Sequence, residues 1–154
     1  MDVKSLPTYF YVQKNSNFDK TNTPIPFEFS RLNVGSAMNL TSGIFTAPRN
    51  GNYHFSFTGL VSFPETTGSN QVSMRVDLLS ESGSVGLGTV DEANTVNEQL
   101  TPFTFHSTLH LNSGEKIWLE IKEISPKAYL HGAIDWQTTH FTGWILEEDI
   151  VNSL

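Results

Sequence analysis

Cysteine is absent from this chain of 154 residues. Its absence excludes disulfide bonds, thiol catalysis and thiolate metal sites, although it assigns no compartment. Charged residues are also scarce, at 16% against about 25% in an average soluble domain. No apolar run approaches the roughly 18 residues of a membrane span, so membrane insertion is not expected. A single domain of this length buries roughly 70% of the surface of its unfolded chain and needs no covalent staples.

Basic residues are few: 9 Lys and Arg stand against 16 Asp and Glu, which gives a net charge of −7. Because no stripe of positive charge is present to bind phosphates, nucleic acid is not an expected partner. The N-terminal stretch MDVKSLPTYFYV lacks the long apolar core and the cleavage-site pattern of a secretory leader. We therefore expect no signal peptide within the sequence as it stands.

Short segments in which apolar and polar residues alternate fill most of the chain. Turn-forming residues separate them every ten to fifteen residues or so, which is the rhythm of an all-β sandwich or barrel. No window keeps a helical period for three turns. The sequence therefore predicts one antiparallel all-β domain with short tails, whose strands include Tyr9–Val12, Pro26–Phe29, Val72–Leu78, Phe103–Leu111, Ile117–Ile121 and Phe141–Leu146.

The stretch LTSGIFTAPRNGNYHFSFTGL, from Leu40 to Leu60, combines turn residues with alternating aromatic residues. Gly51 precedes the alternation, and we expect it to adopt the positive φ of a tight turn. Tyr53 and Phe55 are expected to point into the sandwich, and His54 to point away from it. The stretch therefore predicts a strand, a turn and a second strand.

The segment Phe141–Leu146 differs from the other strands because both of its faces carry bulky apolar residues. Phe141 and Ile145 share one face, and Trp144 and Leu146 share the other. A strand in a monomeric sandwich normally has one polar face. Burial against another subunit explains this pattern, and burial under another layer of the same chain is the alternative. We expect subunit contact, because the sequence offers no helix to form that layer.

The sequence offers little that resembles catalytic chemistry. His106 and His110 have the spacing of metal ligands on a helix, but on a strand they would stand roughly 13 Å apart. The glycine-rich run Gly83–Gly88 lacks the order of a phosphate-binding loop and a following helix. No Gly-x-Ser-x-Gly nucleophile motif is present. We therefore expect the protein not to be an enzyme.

Three ordered motifs resemble the globular head domain of complement component 1q. The first is Asn-Val-Gly at 33–35 followed by GxFxAPxxGxYxF at 43–55. The second is LNSGEKIWLEI, in which Glu115 stands where the family usually has Asp and Trp118 is in place. The third is HFTGWIL, and the resemblance spans about Phe10 to Leu146. Around RLNVGSAMNLTSGIFTAPRNGNY the sequence is most similar to the cerebellin branch.

This resemblance implies a ten-stranded antiparallel jelly-roll sandwich, similar in shape to tumour necrosis factor. It places the domain at residues 9–147, with tails at 1–8 and 148–154. Members form trimers and are typically secreted, so a homotrimer and an extracellular location are expected, although the usual collagen stalk is missing. The residues that we assign to the core or to the trimer contacts are Tyr53, Phe55, Trp118, Phe141, Gly143, Trp144 and Leu146.

Two loops offer candidate binding residues. Some heads of the family hold calcium in the segment that corresponds to Gly88–Glu98, where this chain has Asp91, Asn97 and Glu98. Oxygen ligands of this kind suit a hard cation, and the alternative is that the loop is merely polar.

Tyr129 and Trp136 lie in a long segment before the last strand. There they would serve as ligand contacts or be buried in the core or in the trimer.

Two functional hypotheses follow from the resemblance. The first is a trimeric extracellular recognition module that binds proteins, glycans or microbial surfaces, of the innate-immune or adhesion type. The alternative is a secreted signalling ligand similar to tumour necrosis factor, which clusters a cell-surface receptor. A weaker third hypothesis is a structural jelly roll, such as a capsid or coat protein.

Overall fold

A computed structural model describes residues 7–133 and 135–150. Within these residues the regular elements are strands, and none of them is a helix that could cross a membrane. The ten strands are β1 (Tyr9–Gln13), β2 (Phe29–Val34), β3 (Phe45–Thr46), β4 (Gly51–Phe63), β5 (Gln71–Ser80), β6 (Gly83–Ala93), β7 (Gln99–Leu111), β8 (Lys116–Ile124), β9 (Tyr129–Leu130) and β10 (His140–Glu148).

The strands form two antiparallel sheets around one core. The large sheet has the order β2-β1-β10-β4-β7, and the short strand β9 pairs with β4. The small sheet has the order β3-β8-β5-β6. Consecutive strands such as β3 and β4 lie in different sheets, whereas β1 and β10 pair with each other from opposite ends of the chain. This arrangement is a jelly roll, and the predicted all-β fold class is confirmed.

Aromatic rings from both sheets fill the centre of the sandwich. The Phe55 ring of β4 lies 5.4 Å from the Phe45 ring of β3 and 6.1 Å from the Phe141 ring of β10, between centroids. Each of these side chains is 1% exposed, and Tyr53 is fully buried. The alternation of β4 thus points Tyr53 and Phe55 inward, and His54 lies on the opposite face.

Gly143 on β10 provides the space that two of these rings occupy. A Cβ atom at this position would lie 2.6 Å from Cδ1 of Phe55 and 2.7 Å from Cε1 of Phe10. Real Cβ atoms do not approach ring carbons so closely, because their van der Waals radii would overlap. The glycine is therefore a packing requirement of the core.

Gly51 corrects one expectation from the sequence, since its φ is not among the positive ones. It begins β4, and a Cβ atom there would lie 2.4 Å from the carbonyl oxygen of Glu147 on β10. The prediction of a positive φ is therefore wrong. The residue has to be glycine because the backbone of β10 passes so close to it.

The predicted strand at Pro26–Phe29 is a second correction, because β2 begins only at Phe29. Phe27 is nevertheless fully buried, and its ring centroid lies 5.7 Å from that of Phe141. The alternation of residues 26–29 thus reports burial of Phe27 in the core and not strand pairing.

An ion pair holds the segment before β2 against the end of β1. The Lys14 side chain is 1% exposed, and its Nζ donates to the carbonyl oxygen of Pro26 (2.8 Å) and to the carboxylate of Glu28. Partial burial raises the pKa of Glu28, but hydrogen bonds from Lys14 and from backbone N–H groups, together with the charge of Lys14, outweigh burial and leave the pKa below its usual value. Removing Glu28 would leave the buried charge of Lys14 poorly solvated.

We predict that Phe55→Ala lowers the free energy of unfolding by about 3–5 kcal/mol, because it removes buried ring surface and leaves a cavity. Ser56→Ala, one residue along the same strand, is the matched control and should change it by less than about 0.5 kcal/mol. Denaturant unfolding of both variants measures the difference. A neutral Phe55→Ala would contradict the inward orientation of this residue.

Candidate functional site

The strand β10 lies between β1 and β4, and it presents apolar side chains on both faces of the large sheet. Phe141 and Gly143 face the core. Trp144 and Leu146 face away from it and are 38% and 54% exposed. The described part of the chain therefore leaves these two large apolar side chains uncovered, which is uncommon for a sheet that faces water.

The residues of the large sheet that point away from the core form a continuous surface, which we call the outer face. An apolar groove of about 510 Å³ crosses it over β1 and β10. Tyr9 and Leu32 at the groove are 39% and 49% exposed. The outer face consists mainly of Tyr9, Tyr11, Leu32, His54, Thr108, His106, His140, Thr142, Trp144 and Leu146.

An aromatic cluster forms the middle of the outer face. Trp144 is the cross-strand partner of His54, and their ring centroids lie 4.8 Å apart. The His54 ring in turn lies 5.5 Å from that of His106 on β7. Nδ1 of His54 is hydrogen-bonded to Oγ1 of Thr108 at 2.8 Å, which fixes the orientation of the ring. Three strands thus contribute to one cluster of rings.

His140 occupies the β1 side of the same face. Its ring stacks on Tyr11 at 5.2 Å between centroids. Its Nδ1 is buried and has no hydrogen-bond partner among the described residues. Burial lowers the pKa of His140, because the imidazolium form loses its hydration there.

His110 lies at the far end of β7 in a different environment. Its Nε2 is 2.8 Å from a carboxylate oxygen of Asp149, and both side chains are largely exposed. This pair gains attraction when the imidazole is protonated, in contrast to the ring cluster around His54.

Trp118 lies apart from the other residues assigned to the core or trimer contacts. It is on β8 of the small sheet and is half-buried, and its Nε1 donates to Oε2 of Glu120 at 2.6 Å. Its position on β8 alternates with those of Ile117 and Leu119, which are fully buried. The structure therefore places Trp118 neither in the aromatic core nor on the outer face.

The loop before β10 presents Trp136. Its ring is 68% exposed and stacks on His131 at 5.8 Å between centroids. Hydroxyl groups of Thr138 and Thr139 both donate to the carbonyl oxygen of His131, at 3.1 and 2.6 Å. The other candidate contact, Tyr129, is half-buried in β9. Of the two rings, that of Trp136 is thus the more exposed.

The candidate calcium residues lie at the end of β6 and in the turn after it. Asp91 is exposed and pairs with Ser73 of β5, and Asn97 and Glu98 are exposed in the turn. The described residues contain no group of three His, Asp or Glu side chains placed to hold a metal. Calcium takes six to eight oxygen ligands, which Asn side chains and backbone carbonyl groups supply as well as carboxylates. Calcium at this loop stays a prediction, which melting curves with and without a chelator would test.

His140 is a functional candidate that sequence reasoning did not single out, whereas His54 was expected to point away from the core. Both stand at positions where the period of two places them on the same face as Trp144. That period was the available signal, but the proximity of the rings depends on the pairing of β4 with β7 and of β1 with β10.

The family resemblance is tested by comparison with known proteins. The sequence matches the C1q domain family over residues 9–146, which is most of the chain. The chain belongs to the C1q domain family. Its fold is similar to that of a structure described as the globular domain of zebrafish complement 1qA protein, with a TM-score of 0.65 and 16% identity over 92% of this chain and 99% of that one. No curated protein matches the sequence significantly.

C1q domains are non-enzymatic recognition modules, and they generally form trimers and bind ligands. Proteins of the C1q family are typically secreted or extracellular. In this C1q domain, exposed apolar side chains include Trp144 and Leu146 on the outer face and Trp136 in the loop before β10.

We predict that His140 makes this C1q domain less stable in acid. Because burial lowers its pKa, the unfolded chain binds a proton more readily than the folded chain below about pH 6.5, so stability falls as the pH falls. His140→Gln should therefore reduce the loss of melting temperature between pH 7.5 and 5.5. His131→Gln, away from the outer face, is the control. An equal loss in wild type and His140→Gln would contradict the prediction.

Proposed function

We propose that this C1q domain forms a homotrimer through the outer face and acts as an extracellular recognition module. The observation that carries the proposal is the double-sided β10, in which Trp144 and Leu146 stay exposed beside an apolar groove. Exposed apolar patches of this kind mark protein contacts. A closed assembly of identical copies covers such a patch without leaving an open edge.

Contact between identical subunits also agrees with the chemistry of the outer face. Its centre consists of aromatic rings and hydroxyl groups, and the ion pair of His110 with Asp149 lies at one end. Interface centres are enriched in aromatic residues and depleted of charge, and their rims are polar. The net charge of −7 per chain opposes association at long range, so the contact has to come from this apolar centre.

Recognition of a ligand would use a different part of the molecule, the loop that carries Trp136. One face of its ring is covered by His131, and the ring is largely exposed. The loop is fixed by hydrogen bonds to the His131 carbonyl oxygen and by Gly132, whose N–H donates to Oδ1 of Asn17 at 3.1 Å. A ring presented on a fixed backbone loses little entropy on binding, which is the property of a contact anchor.

The class of ligand that we propose is a protein or glycan at a cell or microbial surface. Support comes from the polar surroundings of the Trp136 ring, where Asp135 and Gln137 are exposed and Thr138 is half-buried. An aromatic plane with hydrogen-bonding neighbours suits amphipathic groups. The segment RLNVGSAMNLTSGIFTAPRNGNY supports a place near the cerebellin branch of the family.

The proposed assembly predicts a mass of about three times 17.2 kDa by light scattering after size exclusion. Trp144→Glu should reduce the mass to that of a monomer, because a carboxylate would be buried in the seam. The matched control is Leu87→Glu. Leu87 is 48% exposed but lies on β6 of the small sheet, so this variant should keep the mass of a trimer. A monomeric wild-type protein would contradict the trimer.

The proposed contact predicts that Trp136→Ala weakens binding to a glycan array or to immobilised microbial cells by roughly tenfold or more. The variant should keep its trimeric mass and melting temperature, because the Trp136 ring lies outside the core. Leu100→Ala removes an exposed apolar side chain elsewhere (42% exposed) and should leave binding unchanged. Equal binding by the Trp136→Ala variant would exclude this loop as the contact.

A further inference from the structure

Four of the five histidines of the chain belong to the large sheet and point away from the core. They are His54 on β4, His106 and His110 on β7, and His140 on β10. The fifth, His131, lies in the loop under Trp136. Imidazole is the side-chain group that generally responds to mild acid, and four of the five lie on this one side of the sheet.

We propose that mild acid releases the copies of this chain from one another, because protonated His54 and His106 place like charges inside the seam between them. The inference depends on the proposed trimer and adds a condition to it: the seam closes only when these two imidazoles are neutral. His140 contributes in the same direction from the β1 side of the face.

In the described part of the chain, His54 and His106 are surrounded by rings and hydroxyl groups and not by counter-charges. From β10, Trp144 faces His54, and from β7, Thr108 accepts or donates its hydrogen bond. Within the described residues no ion pair joins either histidine to a carboxylate. The nearest candidate along β10 is Glu147, which lies opposite Asn52. Two cations whose ring centroids lie 5.5 Å apart would repel each other without a counter-ion.

On the β1 side, the charged group near His140 is also a cation. Tyr11 stacks on His140, and the charge of Arg31 partly offsets the rise that burial gives to the pKa of Tyr11. Arg31 donates to Oε1 of Gln13, which lies opposite His140 in the pairing of β1 with β10. Protonation of His140 would thus add a positive charge beside an existing one.

The net charge of the chain favours association in acid, but this effect is smaller than that of the local repulsion between imidazolium groups. Each copy carries −7 at pH 7, so protonation reduces the repulsion between whole copies. At physiological ionic strength, however, interactions between exposed charges are screened beyond about 8 Å. The contacts inside a closed seam are shorter than this and are poorly screened, so the local repulsion decides the direction.

His110 provides a matched comparison on the same strand. It also points away from the core, but it pairs with Asp149, so protonation strengthens an attraction there. Replacing His110 should therefore leave the acid release intact, whereas replacing His54 and His106 should remove most of it.

Sedimentation velocity over a concentration series at pH 7.5 and 5.5 tests the inference. Each imidazole that must lose its proton on assembly weakens association by up to about tenfold per pH unit below its ordinary pKa. We therefore expect the concentration of half-assembly of wild type to rise roughly tenfold or more at pH 5.5. His54→Gln/His106→Gln should lose most of this rise and keep only the part that His140 contributes, and His110→Gln should respond as wild type does.

The outcomes separate the inference from the proposed trimer. A wild-type monomer at pH 7.5 overturns both, whereas a trimer of unchanged strength at pH 5.5 overturns the acid release alone. Equal acid release by the double variant also overturns it. If the double variant does not assemble at pH 7.5, the single variants His54→Gln and His106→Gln decide, because each should show a smaller acid release than wild type. Acid release equal to that of wild type in both single variants overturns the inference.

Discussion

The fold depends on the position of β10, which pairs with β1 and β4. Alternate side chains of β10 pack into the core and lie on the outer face of the large sheet. Toward the core, β10 presents the ring of Phe141, which contacts the aromatic centre. Gly143, the next core-facing residue, has no side chain and leaves space for the rings of Phe10 and Phe55. Away from the core, β10 places Trp144 and Leu146, which stay 38% and 54% exposed. In the proposed trimer, a single strand would thus link the stability of one chain to contact with another.

Much of this arrangement follows from the sequence because a strand repeats every two residues. The alternation around Phe55 and the double-sided pattern of Phe141–Leu146 both correspond to what the structure shows. Local sequence patterns predict the conformation and role of a residue less well where contact with a distant segment determines them. Gly51 is constrained by the carbonyl oxygen of Glu147, and Phe27 is buried by the core without joining a strand.

The candidate surfaces likewise follow from the sequence only in part. Period two places His54 and Trp144 on the outside, but only the pairing of β4 with β7 and β10 brings His54, His106 and Trp144 into contact. Sequence reasoning grouped Trp118 with the core aromatic residues because it belongs to a family motif, whereas it is half-buried on the small sheet. The anchoring of the Trp136 loop likewise depends on hydrogen bonds that no local pattern reveals. Assembly and recognition would thus use separate surfaces, so that a ligand reaches its site while the outer face is closed.

The central claim is that the outer face is the seam between copies, and the environment of Trp144 tests it directly. Replacing Trp118 and Trp136 by Phe leaves Trp144 as the only tryptophan of the three. Acrylamide quenching of its fluorescence should be weak in the trimer and should increase when dilution separates the copies, because Trp144 is 38% exposed in one chain. A trimer in which Trp144 is quenched as readily as in the separated chain would contradict the account.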